Sequence, residues 1–319
     1  MSKLTPKMAN IITWVIISTT GVLTGGGIGG IVAYNKIQEK LAENEDDSEV
    51  EETDNSYMST YEKFVEENGL SGDVSTVLSV PDILNISFTK LEQVESYVCE
   101  SNGLLDTLQK QYITSAKGRK GNYYFAESNS IAPNGIYKME VGSRYVYEGD
   151  KINSYECNRI YITDKNYVHS TYNNNIVKSY TNEEFTEYNG CYITDPNIYR
   201  ISSKTCDNTE GKQPTIQKVG NEYHVTISLT KSACKDYIRQ IINTSDGMVV
   251  GVTFEYSNWT MVLSEDLLPK TCTIEEKYTT KTSMLVSAKC LNTMNQKFYY
   301  GDSVSFPSPD QPYILREEV

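Results

Sequence analysis

The stretch "EYHVTISLT", Glu222 to Thr230, decides the fold class. Tyr223, Val225, Ile227 and Leu229 alternate with His224, Thr226 and Ser228. An extended chain turns the first set to one face and the second to the other, whereas a helix would scatter both around its axis. The stretch is therefore read as a strand with one face on a core and the other in water.

The same signature extends outward in both directions. "VGVTFEYSNWTMVLS" sets Val252, Phe254 and Tyr256 on one side and then predicts a turn at Ser257-Asn258. "SMLVSAKC" aligns Met284, Val286, Ala288 and Cys290. Upstream, "GNYYFAES", "GIYKMEVGSRYVYEG", "NRIYITD", "NYVHSTY" and "NIVKSYTNEEFTEYNG" are rich in Tyr, Thr, Val and Ile. Turn residues recur roughly every 8 to 12 positions, the rhythm of an antiparallel meander. Three amphipathic helices are predicted among these strands. "STYEKFVEENG" offers Ser59 and Glu62 as a capping box, and "TKLEQVESYVCESNGLLDTLQKQYI" offers Thr89 and Glu92. In the second, Leu91, Val94, Val98, Leu105, Leu108 and Tyr112 keep helical spacing. "TKSACKDYIRQIINTSDG" carries Tyr237, Ile238, Ile241 and Ile242.

Toward the N-terminus the character changes. Met8 to Asn35 is a run of 28 residues without a charge, between Lys7 and Lys36. That exceeds the roughly 20 residues a helix needs to cross a bilayer. Within it, Gly25-x-Gly27-x-x-Gly30 spells the dinucleotide fingerprint, with Asp46 and Asp47 where a ribose-binding acid would stand. The fingerprint needs a short strand before it and a buried strand ending in the acid, and "LAENEDDSEVEETDNS" has too few apolar residues to be buried. Gly21, Gly25 and Gly29 instead give the small-xxx-small spacing that lets two membrane helices dimerise. The organisation expected is a cytoplasmic tail (1–7), a transmembrane helix (8–34), an acidic stalk (35–56) and a domain outside the cytoplasm (57–319). The run is too long for a cleaved signal peptide and no A-x-A site follows it. Lys3 and Lys7 are balanced by Lys36 and Lys40, so the orientation rests on the size of the C-terminal domain and its cysteines.

Charge and cysteines narrow the function classes. The net charge is −13, and residues 39–67 hold twelve Asp or Glu against Lys40 and Lys63. Such a tract stays solvated, and an acidic surface argues against nucleic acid as a partner. Seven cysteines without a C-x-x-C, and two histidines (His169 and His224), supply a zinc site poorly; no metal and no cofactor are expected. "CTIEEKYTTKTSMLVSAKC" is nearly symmetric about Lys281, and a hairpin turning there would bring Cys272 opposite Cys290 as a disulfide. Ser87–Lys90, Ser228–Lys231 and Ser232–Lys235 match S-x-x-K, but Ser87 and Ser228 fall in strand-like runs, and Ser232 lies too near the Lys281–Ser283 "KTS" for a transpeptidase's helical lobe. The acid pairs Glu275-Glu276 and Glu183-Glu184 are read as surface charge.

From Tyr223 to Pro309 the order is strand, helix, two strands and then "LLPKTCTIEEKYTTKTSMLVSAKCLNTMNQKFYYGDSVSFPSP". This order resembles the C-terminal half of LolA-like and LppX-like lipoproteins, with "LPK" before a strand and a last strand ending in "SFPSP". The resemblance covers residues 57–310. It implies an α+β domain built as a curved antiparallel sheet, a half-barrel whose concave face is covered by helices. It also implies a carrier of lipid or another hydrophobic ligand, without enzymatic activity. Val225, Ile227, Val252, Phe254, Tyr256, Met284 and Val286 would line the ligand site. Those lipoproteins hang on a lipidated cysteine, for which a spanning helix substitutes here. The competing expectation is a surface interaction domain without a cavity, suggested by 25 tyrosines against 7 phenylalanines.

Overall fold

The computed structural model describes residues 56–316, apart from 108–109, 132–136, 156–157, 163–166, 171–174, 190–196, 245–248, 284–285 and 302–303. The expected anchor and stalk, with Gly21, Gly25 and Gly29, lie outside these residues, as does Met284. Among the described residues no helix is long and apolar enough to cross a membrane.

The helices are α1 (Ser56–Asn68), α2 (Val80–Gln93), α3 (Asn182–Asn189) and α4 (Lys235–Thr244). The strands are β1 (Ser96–Asp106), β2 (Lys110–Lys120), β3 (Tyr123–Ile131), β4 (Tyr137–Glu148), β5 (Lys151–Tyr155), β6 (Asn158–Ile162) and β7 (Tyr167–Ser170), then β8 (Ile176–Thr181), β9 (Thr215–Val219), β10 (Glu222–Leu229), β11 (Val249–Ser264), β12 (Pro269–Thr282) and β13 (Ser287–Tyr300). They form one antiparallel sheet in the order β7-β6-β4-β3-β2-β1-β13-β12-β11-β10-β9, with β5 and β8 branching from β4. Each half is a local meander, and the β1–β13 pair joins the two halves.

Helices α1, α2 and α4 pack on one face of the sheet, here the inner face. Tyr61, Ile83, Leu84, Ile86, Tyr237 and Ile241 share a core there with Val225, Ile227, Trp259, Met261, Ile274 and Tyr278. A smaller inner-face cluster gathers Tyr145, Ile152 and Tyr180 under Phe185 of α3. The outer face of β1–β4 is covered by the C-terminal segment 304–316. Val304, Phe306 and Tyr313 pack there on Val98, Ala116 and Phe125, and the Tyr313 ring stacks on Phe125 at 5.0 Å.

Four expectations are corrected. The helix expected over residues 89–113 ends at Gln93 as α2, and β1 and β2 follow. Its N-cap is Ser79, in a reciprocal box with Asp82, not Thr89 with Glu92. Strand β1 is buried on both faces from Ser96 to Ser101, under the core on one side and the C-terminal segment on the other. Burial on both faces removes the polar–apolar alternation that marks a strand. Ser87 accordingly lies in α2, and the Lys90 ammonium donates to the Tyr61 hydroxyl and the Asp266 carbonyl.

The second correction concerns "NEEFTEYN", which is α3 rather than strand. Glu184 N–H donates to the Thr181 hydroxyl at 3.2 Å and Thr181 N–H donates to the Glu184 carboxylate at 2.9 Å, a capping box. Likewise α1 begins at Ser56, and the Ser59 hydroxyl only bonds back to the Ser56 carbonyl at 2.9 Å.

Third, β11 runs unbroken through Ser257-Asn258. A bulge between Phe254 and Tyr256 inserts one residue against β12, and one residue exchanges the two faces. Tyr256 therefore leaves the inward set and donates to exposed Glu275 at 3.0 Å, while Ser257, Trp259 and Met261 turn in.

Fourth, the β12–β13 hairpin is centred three residues beyond Lys281, so Cys272 faces Gln296 and Cys290 faces Tyr278. Thr282 N–H and Thr282 Oγ1 both donate to the Val286 carbonyl and close the hairpin there. The two cysteines stand six register positions apart, about 20 Å along the strand, far beyond disulfide reach. Both are free thiols, as are Cys99, Cys206 and Cys234.

Candidate functional site

Strand β12 turns Cys272, Ile274, Glu276, Tyr278 and Thr280 inward. A carboxylate in that file is unusual, since burying a charge without an opposite charge is expensive. Glu276 is 1% exposed. It therefore does not form the surface pair expected with Glu275, because neighbouring residues on a strand point to opposite faces.

Three donors meet this carboxylate from three directions. The Tyr199 hydroxyl donates to Oε1, the Ser257 hydroxyl to Oε1 at 3.1 Å, and the Asn292 amide to Oε2 at 3.2 Å. Ser257 in turn accepts from the Trp259 indole at 2.9 Å. Tyr199 comes from the segment before β9 and is fixed by Asn197, which bonds both its N–H and its C=O. Its ring stands edge-on to Trp259 at 4.7 Å and tilts against Tyr237 at 5.3 Å. Burial raises the Glu276 acid above the ordinary carboxylate range, and the three hydrogen bonds oppose that rise. Burial and the nearby carboxylate hold the Tyr199 and Tyr237 phenols well above theirs. Burial pushes the neighbouring Cys234 thiol up to about 12, so it stays protonated.

The register extends this cluster across the sheet. Ser257 pairs with Glu276, Glu276 with Asn292, Asn292 with Leu105, and Leu105 with Gln111. These positions form one transverse row on the inner face of β11, β12, β13, β1 and β2, about 19 Å long. On β3 the inner-face Ser130 and Ser128 lie off this row, opposite Ile113 and Ser115 of β2. The row and these two serines form a belt in which all side chains except Leu105 are polar, and all are at most 4% exposed. Among them Gln111 Oε1 and Nε2, Ser128 Oγ, Ser130 Oγ and Asn292 Oδ1 have no hydrogen-bond partner among the described residues, and neither does the Tyr237 hydroxyl of α4. A buried polar group left unmade costs about 1–3 kcal/mol. Such atoms are ordinarily met by buried water, and others stand elsewhere in the fold, at Ser87 Oγ, Thr186 Oγ1 and Asn258 Oδ1.

The sequence-derived ligand residues separate. Val225, Ile227, Val252 and Phe254 lie in the core cluster, where the Phe254 ring stacks on Tyr278 at 4.9 Å. Val286 packs at its edge, and Tyr256 is on the outer face as described. The polar belt escaped sequence reasoning. The signal for Glu276 is present, because a charge interrupts the apolar file of an alternating strand. Nothing local marks Gln111, since only pairing brings it into the row. Among the described residues no group of three His, Cys, Asp or Glu is placed to hold a metal. His224 is on the outer face, 3.7 Å from Glu222.

The buried carboxylate carries a pH prediction. A carboxyl whose folded-state affinity for protons exceeds its unfolded one binds more protons when folded. The contribution of Glu276 to stability is then fully present below the unfolded-state value and is lost as pH rises through the folded-state one, by about 1.4 kcal/mol per tenfold difference in proton affinity. Glu276→Gln removes this dependence, and a flipped Asn292 accepts the new amide at its unpartnered Oδ1. Chemical denaturation from pH 4.5 to 8 should show the variant gaining on the wild type as pH rises; parallel curves would refute the assignment.

No protein-family model matches the chain, and no curated protein matches it. Among solved structures, one similar chain is described as an AttH of Nitrosomonas europaea, at 7% identity and a TM-score of 0.22, over 67% of this chain and 54% of that one. Another is an N-terminal dehydratase from the difficidin assembly line, at 7% identity and a TM-score of 0.13, over 68% of this chain and 83% of that one. The chain thus spans about half the length of the first of these. Likenesses this low carry no argument about function.

Proposed function

We propose that the domain binds or carries a lipid or other hydrophobic ligand on the inner face of its sheet, and does so outside the cytoplasm, held to the membrane by the N-terminal helix. In this reading the sheet is a curved half-barrel of the LolA-like and LppX-like kind, and its concave face is the one under α1, α2 and α4. No catalytic step is assigned. The observation that carries the proposal is the belt of buried, unpartnered polar atoms beside the apolar core. An apolar ligand with a polar end would satisfy both surfaces at once. Burial of its chain supplies the affinity at about 25 cal/mol per Å², and the belt sets its orientation.

Mass spectrometry of organic extracts from the purified full chain, against a control membrane protein prepared identically, is the test. A stoichiometric apolar compound is the expected result. A protein that yields none, and takes up no fluorescent fatty-acid or acylglycerol analogue, would defeat the proposal and favour a surface-contact domain.

A further inference from the structure

We propose that the outer face of the sheet binds an uncharged polysaccharide, laid across the strands along a file of threonines and asparagines. The proposal is independent of the carrier reading, which concerns the inner face.

The register assembles the file. Thr215 of β9 pairs with Thr226 of β10, Thr226 with Thr260 of β11, and Thr260 with Thr273 of β12. Thr273 pairs with Asn295 of β13, and Asn102 of β1, Thr114 of β2 and Asn129 of β3 follow in turn. Each alternates with a residue turned inward, so all of them point outward, and none is buried. Strands spaced about 4.8 Å apart make the file about 34 Å long. The Thr273 hydroxyl donates to Asn295 Oδ1 at 3.0 Å, and the Asn295 amide reaches Asn102 Oδ1 at 3.5 Å. Glu140 of β4 takes the next position and ends the file.

Strand propensity alone does not produce this pattern. Threonine suits an exposed strand, but asparagine is depleted in strands, and Asn295, Asn102 and Asn129 all stand here. Nor is this an ordinary wet face, since charged residues make up 22% of the chain and none stands in the file. Its side chains offer uncharged donors and acceptors at a regular spacing.

The rows on either side shape a site over β1, β2 and β3. One row is Glu100, Ala116 and Glu127, which the C-terminal segment covers, so that segment forms a wall. The other row is Leu104, Tyr112 and Ile131, with Tyr112 59% and Ile131 41% exposed. Between wall and apolar strip lie Asn102, Thr114 and Asn129. A sugar unit carries hydroxyls around its rim and C–H groups on its faces. The hydroxyls exchange hydrogen bonds with the file, and a C–H face packs on the Tyr112 ring. Over β12 and β13 the adjoining charges are one of each sign, Glu275 and Lys297, each two positions from the file, so a charged polymer gains nothing from them. Neighbouring strands twist by about 20–25°, a path that a flexible chain follows and a flat lattice does not.

Full-length protein in amphipol, captured on a biolayer-interferometry sensor, is titrated with laminarin, mannan and hydroxyethyl cellulose, which are uncharged, and with polygalacturonate, which is anionic. The expected result is saturable binding of at least one uncharged polymer, at least tenfold tighter than of polygalacturonate. Tyr112→Ala should weaken it at least tenfold. Asn102→Val with Asn129→Val should weaken it as much, yet leave the domain at least as stable in urea, because valine suits a strand better than asparagine. No saturable binding of any uncharged polymer would overturn the proposal, as would polygalacturonate bound equally tightly. A double variant that is less stable and still binds would also overturn it, by showing that the asparagines serve the fold.

Discussion

Arg144→Met is expected to destabilise the protein by about 3–5 kcal/mol, the cost of leaving a buried charge without its partner. Arg144 is fully buried on β4 and pairs with Glu127 on β3, which is 7% exposed. The same guanidinium donates to the Gln311 carbonyl at 3.0 Å, and Glu127 accepts the Tyr313 N–H at 2.8 Å. Next to them Glu100 accepts the Tyr313 hydroxyl at 2.7 Å. The ion pair is thus the clasp that fastens the C-terminal segment over the outer face of β1–β4. Removing the arginine strands a carboxylate under that segment and also frees Gln311. Methionine keeps much of the packing on Phe125, whose ring lies 5.4 Å from the guanidinium carbon. Glu127→Gln with Arg144→Met should recover a large part of the loss, because glutamine still accepts from Tyr313 and carries no charge. Urea denaturation followed by circular dichroism measures both, and a single variant within about 1 kcal/mol of wild type would show the pair to be dispensable.

The same clasp explains what was legible in the sequence and what was not. Strands with one wet face declared themselves: β10, the start of β11 and the first half of β13 alternate as "EYHVTISLT" does. Strand β1 did not, because its outer face is sealed by a segment that lies about 200 positions away in the chain. Its residues then kept an accidental helical spacing from Leu91 to Tyr112. The true helix starts were nonetheless written locally, as Ser79-x-x-Asp82 and Thr181-x-x-Glu184. Beside each of them a longer apolar or aromatic pattern outweighs the capping signal. The Cys272–Cys290 pairing failed on a smaller matter. Symmetry of composition about Lys281 does not fix where a hairpin turns, whereas the Thr282–Val286 bonds do. The belt is the least local feature of all. Its members sit on separate strands and meet only through the register, so a residue-by-residue reading sees a surface glutamate, an ordinary glutamine and some serines.

Because β1–β13 is the pair that unites the two halves of the sheet, Gly103→Ala is expected to be strongly destabilising. Gly103 pairs with Met294 on β13 and with Ile113 on β2. A Cβ there would lie 2.0 Å from the Thr293 carbonyl oxygen and 2.5 Å from the Met294 sulfur. The sulfur ends a flexible side chain and can swing aside. The carbonyl belongs to the backbone of the paired strand and moves only if the strands part. The expected cost is about 3 kcal/mol, the upper end of what overpacking takes from a core. Gly251→Ala is the control, a glycine in β11 whose added Cβ would meet only the Lys281 Cβ, at 3.8 Å. It should be neutral or stabilising by a few tenths of a kcal/mol, since it only restricts the unfolded chain. Equal effects from the two substitutions would mean that the close approach at the seam is not required. In the carrier reading proposed above the seam also bears on the ligand, since Leu105, two residues beyond Gly103, stands between Asn292 and Gln111 in the belt. Strands forced apart at Gly103 would pull the two halves of the belt out of line, so Gly103→Ala should lose ligand response along with stability, whereas Gly251→Ala should keep both.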